Sequence, residues 1–279
     1  MKALTIEQKA KPVQKPRNRN RVLWSILLAV AALAAIDGFL VEPDWIQVTR
    51  WTVQGNVAAP LKIAELADLH TSHLGIREKS LLKLLDQEAP DVIVVAGDSI
   101  ASRNGYPGEA PLLRRLHAPL GVWLVRGNWE DDFPPRNERK YYASLGIHFL
   151  LNEGAQLREG IWLIGLDDPT AGRPDLNGAL SGVPAGAYTI ALFHSPKFFA
   201  KSAGRYDLAL AGHSHGGQVH VPGLERLWLP PGVGPYVSGW FEQNGSRMYV
   251  SRGLGTTLLP VRFLCRPELP IITIEPMQK

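Results

Sequence analysis

Cysteine is almost missing: Cys265 is the one cysteine in 279 residues, so no disulfide can form within the chain. A single thiol fits a reducing compartment or simple disuse and carries no further message. Internal repeats and low-complexity stretches are absent, which argues against a solenoid or a linker-rich chain. Acidic residues are scarce at one end only. Residues 1–21 hold seven Lys/Arg and one acid, Glu7, a balance of +6; the whole chain is at +4, so the other 258 residues carry −2. The basic excess therefore belongs to a tail. A nucleic-acid binder would show it on the folded body, so nucleic acid is not an expected partner.

Uncharged apolar runs long enough to cross a bilayer are also scarce, with one exception. "VLWSILLAVAALAAIDGFLV", residues 22–41, carries no charge over its first fifteen positions. Twenty helical residues at ~1.5 Å each span ~30 Å, the thickness of a hydrocarbon core. Asp37 stands near the far end. A cleaved signal peptide is the competing reading, because "ALAA" resembles a small-residue cleavage site. The length favours an anchor. The cationic flank precedes the span and Glu42 and Asp44 follow it, so the positive-inside rule puts the tail, 1–21, in the cytoplasm as a disordered segment and the body across the membrane. Residues 42–60 read as a tether and a first strand.

What is there, in residues 61–279, is an alternation of short apolar runs with helical patterns. "LKIAEL", "DVIVVA", "GVWLV", "IWLIG", "YTIALF" and "YDLALA" read as strands, and "SRMYVSRGL" and "LPIITIEP" as later ones. "REKSLLKLLDQEAP" has leucines at 81, 82, 84 and 85 on one helical face; "EAPLLRRLHAP" is a second helix. This order predicts an α/β domain with a core of ordinary size, apolar content being 45%.

In such sheets ligands bind at the carboxyl ends of strands. There the chain places Asp68 and His70, Asp98, Asn128, His194, and His213 with His215. Any one polar strand end is weak evidence; five, all bearing Asp, Asn or His, point to a metal centre. The last of them, "GHSHGGQ", also spells G-x-S-x-G, which would make Ser214 an esterase nucleophile. A nucleophile elbow needs a helix after the serine, and "HGGQVHVPG" is a poor helix, so the metal reading leads.

These residues, Asp68-Leu-His70, Gly97-Asp98, Gly127-Asn128, His194 and Gly212-His213-Ser214-His215, resemble the ordered motifs of calcineurin-like metallophosphoesterases, from about residue 61 to 274. "GHSHGGQVHVPG" and "VSRGLGTTLLPVRFLCRPEL" further resemble a membrane-anchored bacterial subfamily that includes UDP-2,3-diacylglucosamine pyrophosphatase-like enzymes. The resemblance implies an α/β/β/α sandwich of two mixed sheets flanked by helices. It implies that Asp68, His70 and His215 hold one divalent metal, that Asn128, His194 and His213 hold another, and that Asp98 bridges them. Of these, Asp98, Asn128, His194 and His213 would serve catalysis. Mixed N/O ligands suit Mn, Fe, Zn or Co. The implied substrate is a phosphorylated lipid or a nucleotide–lipid diphosphate at a bacterial cell membrane. The lipid A precursors of the resembled enzymes are made on the cytoplasmic face, whereas the charge rule puts this domain on the other side.

The family motif continues after Gly-Asn with a histidine credited with assisting the leaving group. Here it is Trp129, followed by Glu130. Indole cannot act as a general acid, a contribution worth about 10²–10⁴ in rate. Three expectations follow: a substrate with a good leaving group such as a diphosphate, substitution by Glu130, Asp131 or water, or a metal-binding protein with little catalysis. The second acid often found four residues beyond Asp98 is also missing, with Ala101 and Ser102 in its place. His73, near Asp68 and His70, is a candidate for substrate contact; His117 and His148 read as structural, and Asp167-Asp168-Pro169 as a turn. Leu227, Trp228, Leu229, Trp240 and Phe241 form an apolar neighbourhood, either core packing or a lipid-facing rim.

Overall fold

The computed structural model describes residues 19–221 and 229–277, and the chain divides into two units that meet between Ile36 and Asp37. The first unit is α1 (Arg19–Ile36), apolar and exposed along its length. Together with the turns that follow, the stretch Asn20–Asp44 is long and apolar enough to cross a membrane. Most of the predicted basic tail lies outside the described residues.

The second unit is a sandwich of two six-stranded mixed sheets. The strands are β1 (Gln47–Gly55), β2 (Leu61–Leu66), β3 (Val92–Ala96), β4 (Val122–Val125), β5 (His148–Phe149), β6 (Glu153–Arg158), β7 (Ile161–Gly165), β8 (Tyr188–Leu192), β9 (Leu208–Ala211), β10 (Gly239–Gln243), β11 (Ser246–Val250) and β12 (Glu268–Pro276). One sheet runs β1-β12-β2-β3-β4-β5 and the other β10-β11-β9-β8-β7-β6. In the first, β2 to β5 are parallel; in the second, β7, β8, β9 and β11 are. The helices are α2 (Ile76–Glu88), α3 (Tyr106–Leu113), α4 (Asn128–Asp132), α5 (Glu138–Ser144), α6 (Leu176–Leu180) and α7 (Phe199–Ser202). The expected two-sheet sandwich with flanking helices is what the chain forms.

Alternation along each strand explains the three cores. In β2, Leu61 and Ile63 face the other sheet while Ala64 and Leu66 face α2 and α3. In β8, Ile190 and Leu192 face inward between the sheets, and Ala191 faces the α6 and α7 side. Strands covered on both faces have no polar side to show, hence the unbroken runs "VIVVA" and "LALA". The second predicted helix starts earlier than its leucines and ends at Leu113, so "RRLHAP" is irregular.

The inter-sheet layer is one of the two large buried clusters of the domain. Ile190→Ala, at a fully buried position, should cost about 2–5 kcal/mol through lost burial and an unfilled cavity. Urea denaturation of the detergent-solubilised chain should show a lower midpoint with unchanged slope.

Candidate active site

The sandwich brings the carboxyl ends of β2, β3 and β4 in one sheet against those of β8 and β9 in the other. The residues that follow these strands converge. Asp68, His70 and His215 form one group and Asp98, His194 and His213 a second, each offering ligand atoms within 4.8 Å of one another, and all six are buried. His194 Nε2 links the groups, 3.2 Å from Asp98 Oδ2, 3.9 Å from Asp68 Oδ1 and 3.0 Å from His213 Nδ1. Asp98 Oδ2 also lies 3.7 Å from His70 Nε2, and Asp68 Oδ1 lies 3.6 Å from His215 Nε2.

The seventh sequence candidate, Asn128, opens α4 directly after β4. It is flanked by Gly127 and by Trp129, whose backbone N–H donates to Asp98 Oδ1 at 2.9 Å. The buried Oδ1 of Asn128 takes no hydrogen bond, as an atom reserved for a cation would leave it; His70 Nε2 and His215 Nδ1 are likewise buried and unpartnered.

Three of the candidate imidazoles are oriented by their backs. His70 Nδ1 donates to the Ile100 carbonyl at 3.0 Å, His194 Nδ1 to Ala96 at 2.6 Å, and His213 Nε2 to Pro231 at 2.6 Å. A carbonyl can only accept, so each of these nitrogens carries the proton and the other ring nitrogen offers a lone pair to the centre. This is how metal sites fix ligand tautomer and orientation.

The backbone is bent to fit. Five of the seven candidates lie in the left-handed region: Asp68 (φ 50°), His70 (41°), Asp98 (53°), His213 (69°) and His215 (51°). Non-glycine residues rarely adopt it, and such strain concentrates at functional sites. Glycine is required where the loops crowd Asp68: a Cβ at Gly212 would fall 2.9 Å from its Oδ2, and one at Gly253 2.7 Å.

Charges in the site are mutually dependent. Burial, with the nearby Asp98 charge, raises the Asp68 carboxyl to about 7, although His194 and Arg262 oppose the shift. Burial works against the Asp98 charge too, but His194 and His70 beside it hold the carboxyl well below its usual range. Burial alone would lower His194, yet Asp98 and Asp68 drive it well above the ordinary imidazole value. Burial lowers His70 and His215, and brings His213 down to about 4. The buried acids of the centre thus call for positive charge.

Two bracing residues escaped the sequence reading. Glu130 is fully buried and accepts from the backbone N–H groups of Gly127, Asp98, Ser99 and Ile100 and from the Ser99 hydroxyl, at 2.7–3.2 Å. It ties the loop after β3 to α4 and has no freedom to protonate a leaving group. Asp131, the other expected stand-in, is paired with Arg126. The second brace is Arg262, fully buried with no carboxylate partner. Its guanidinium gathers the carbonyls of Arg252, Gly253, Gly255 and Cys265, which form the wall behind His215 and Asp68. A charged residue inside the apolar run "LLPVRFLC" was the available signal.

The remaining candidates resolve as follows. Ser214 is buried; its hydroxyl donates to the Val237 carbonyl and accepts from Gly216 N–H, and a 3-10 turn follows in place of a helix. It has no histidine base and is a turn residue. Trp129 packs edge-on against His70, ring centroids 5.4 Å apart. Asp168 caps the expected turn through Thr170 and Ala171 N–H and also accepts from Ser195, next to His194. His73 is exposed and bonded to Ser72; His148 stacks on Trp123. Trp240 packs on Trp51 and Tyr249, and Phe241 on Tyr236, so these two are packing residues. Leu227 and Trp228 lie outside the described residues.

Two buried O/N groups at the strand ends of a two-sheet sandwich make this a candidate metal-binding α/β protein. Residues 61–217 match the calcineurin-like phosphoesterase family, and the chain belongs to it. It is similar to the metallophosphoesterase YkuE of Bacillus subtilis, 32% identical over 267 residues covering 89% of this chain and 93% of the relative. A metallophosphoesterase of Aquifex aeolicus is 27% identical over 84% of this chain and 94% of its own. The phosphodiesterase YaeI of Escherichia coli is 29% identical over 88% of this chain and 95% of its own. The protein is a metal-dependent phosphoester hydrolase.

Metal binding should be pH-dependent with a definite sign. The Asp68 pKa is raised from 3.8 to about 7 on folding, so the metal-free protein loses stability as pH rises across that window, when the buried carboxyl must ionise. A divalent cation binds the ionised form and cancels that loss. The melting-temperature gain on adding Mn should therefore be small at pH 5 and large at pH 8. Equal gains at both values would contradict the assignment of Asp68 as a ligand.

Proposed function

We propose that the protein hydrolyses a phosphorylated lipid or nucleotide–lipid diphosphate at a membrane surface, with two divalent cations (Mn, Fe, Zn or Co). Asp68, His70 and His215 would hold one and Asn128, His194 and His213 the other, with Asp98 between them. The observation that carries this reading is the convergence of buried ligands whose imidazoles are preset by backbone carbonyls. Two such cations, when bound, polarise a phosphoryl group and acidify a water for attack on phosphorus.

The chain's own residues do the positioning. Asp98 sits between the groups, one oxygen fixed by Trp129 N–H and the other facing His194 and His70. Ser195, held by Asp168 and Thr170, fixes the chain beside His194. Where a protonated histidine would assist departure there is an indole, and both neighbouring acids are committed elsewhere. That favours a leaving group stable without a proton, such as the phosphate of a diphosphate, over an alkoxide.

The location follows from α1 as an anchor. The cationic flank before it and the acids after it favour a cytoplasmic tail and an extracytoplasmic domain in a bacterial cell membrane. The relatives named above are bacterial proteins. This sidedness favours an outer-leaflet substrate over the lipid A precursors that the finer resemblance implied. A second reading, a metal-binding protein with little turnover, draws on Trp129 alone.

Two experiments test these roles. Full-length protein in detergent with Mn should hydrolyse bis-p-nitrophenyl phosphate, and Asp98→Ala should remove that activity; absence of a difference would end the proposal. Trp129→His should raise turnover of alkyl phosphodiesters by up to ~10², the lower end of what general acid assistance provides, and change diphosphate turnover little. No gain on either substrate, in a variant that still binds two metals, would favour the second reading.

A further inference from the structure

Among the described residues, the loop from Thr256 to Cys265 breaks the pattern of the rest of the domain surface. Leu258 is 88% exposed, Leu264 64% and Leu259 48%. Isolated exposed leucines are ordinary, but a contiguous apolar patch marks an interaction surface. Leu258 (φ 62°) and Leu264 (φ 53°) also stand in the left-handed backbone region, so neither burial nor backbone preference accounts for them.

The loop is held rigidly in this pose. Arg262 N–H donates to the Gly38 carbonyl at 2.9 Å. The buried Glu42 carboxylate accepts from Leu264 N–H at 2.8 Å and from Cys265 N–H. The Arg266 guanidinium covers the exposed Trp45 ring at 3.9 Å and donates to its carbonyl at 2.9 Å. Every one of these tethers ends in residues 38–45. Residues 37–44 are the last part of the apolar stretch that is long enough to cross a membrane, and Phe39, Leu40 and Val41 within it are exposed.

We propose that Leu258, Leu259 and Leu264, continuous with Phe39–Val41, form a face that docks into the lipid bilayer. The inference rests on reading the N-terminal stretch as a membrane anchor. The occupant follows from continuity: the loop is fastened to the end of the span, so its leucines stand at the level of the headgroups. Trp45 under Arg266 is the aromatic and basic pairing favoured at that level. Side chains presented there enter ~5–10 Å into the headgroup boundary.

The placement has a consequence for the substrate. A cleft of about 590 Å³ is lined by His70 together with Phe39, Pro43, Ile76 and Pro260, and by the charged Asp44, Arg77, Glu78 and Lys79. One residue of the candidate metal centre and one of the exposed stretch 39–41 thus share its wall. A phosphorylated amphiphile can then present its head to His70 while its chains stay in the bilayer.

The test uses the full chain in vesicles of phosphatidylcholine and phosphatidylglycerol. Leu258→Cys and Leu264→Cys would each carry an environment-sensitive NBD probe, with Cys265 fully buried and the unsubstituted chain as labelling control. The comparison is Glu159→Cys on the β6–β7 turn, at the opposite end of the strands from the site. Blue-shifted emission, quenched by a shallow spin-labelled lipid, is expected at 258 and 264 and not at 159. Identical water-like signals at all three positions in vesicle-retained protein would overturn the docking face and leave the anchor intact. Release of the protein by carbonate washing would overturn both. Neither readout needs activity, so a failed phosphodiester assay would strike the proposed chemistry alone.

Discussion

Two carboxylates, Asp68 and Asp98, are buried where the ends of two sheets meet, and neither has a Lys or Arg ion-pair partner among the described residues. A buried charge without a counter-charge is costly enough that it either takes a proton or recruits a cation. Burial pushes the Asp68 carboxyl up toward the neutral acid, and the two acids raise the His194 imidazole that lies between them. The fold thus specifies a place for positive charge before any metal arrives. The imidazoles around it, their back nitrogens fixed on carbonyls, decide where that charge must sit.

The rest of the architecture serves this burial. The strand ends deliver the ligands, but tight left-handed turns aim them, and those turns need support from outside the ligand set. Glu130 provides it on the β3–β4 side by satisfying five donors. Arg262 provides it on the β9–β12 side by satisfying four carbonyls. The two braces have opposite charge because the loops they hold present opposite ends of the peptide group. Arg262 also contributes a nearby positive charge that favours ionised Asp68.

The central strands were legible because burial on both faces leaves an uninterrupted apolar run, and the residues that converge at their ends were legible because each run stops abruptly at Asp, Asn or His. Not every edge strand was: "EGAQLR" in β6 has no strong alternation and is held by pairing with β7. The five-residue α4 was hidden for a related reason, since its stability comes from Glu130 reaching back to residues 98–100. Glu130 itself looked like a free acid beside the site because its partners lie about thirty positions away in sequence. Arg262 was invisible as a brace because backbone carbonyls leave no trace in residue type. Of the apolar neighbourhood after the histidine loop, Trp240 is claimed by Trp51 and Tyr249. Leu258, Leu259 and Leu264 are exposed in a run with no aromatic clustering to draw attention.

Trp129 sets the character of one side of the site. An indole packs edge-on against His70, and the cleft that His70 lines also holds Pro43, Ile76 and Phe39. A histidine there would add a proton donor but place a polar, hydrated group on the same wall. Giving up the donor is tolerable when the departing group is already a stable anion, as in a diphosphate. It would be severe for an alkoxide. An indole in place of a proton donor is in this way compatible with a departing group that is a stable anion and not with an alkoxide.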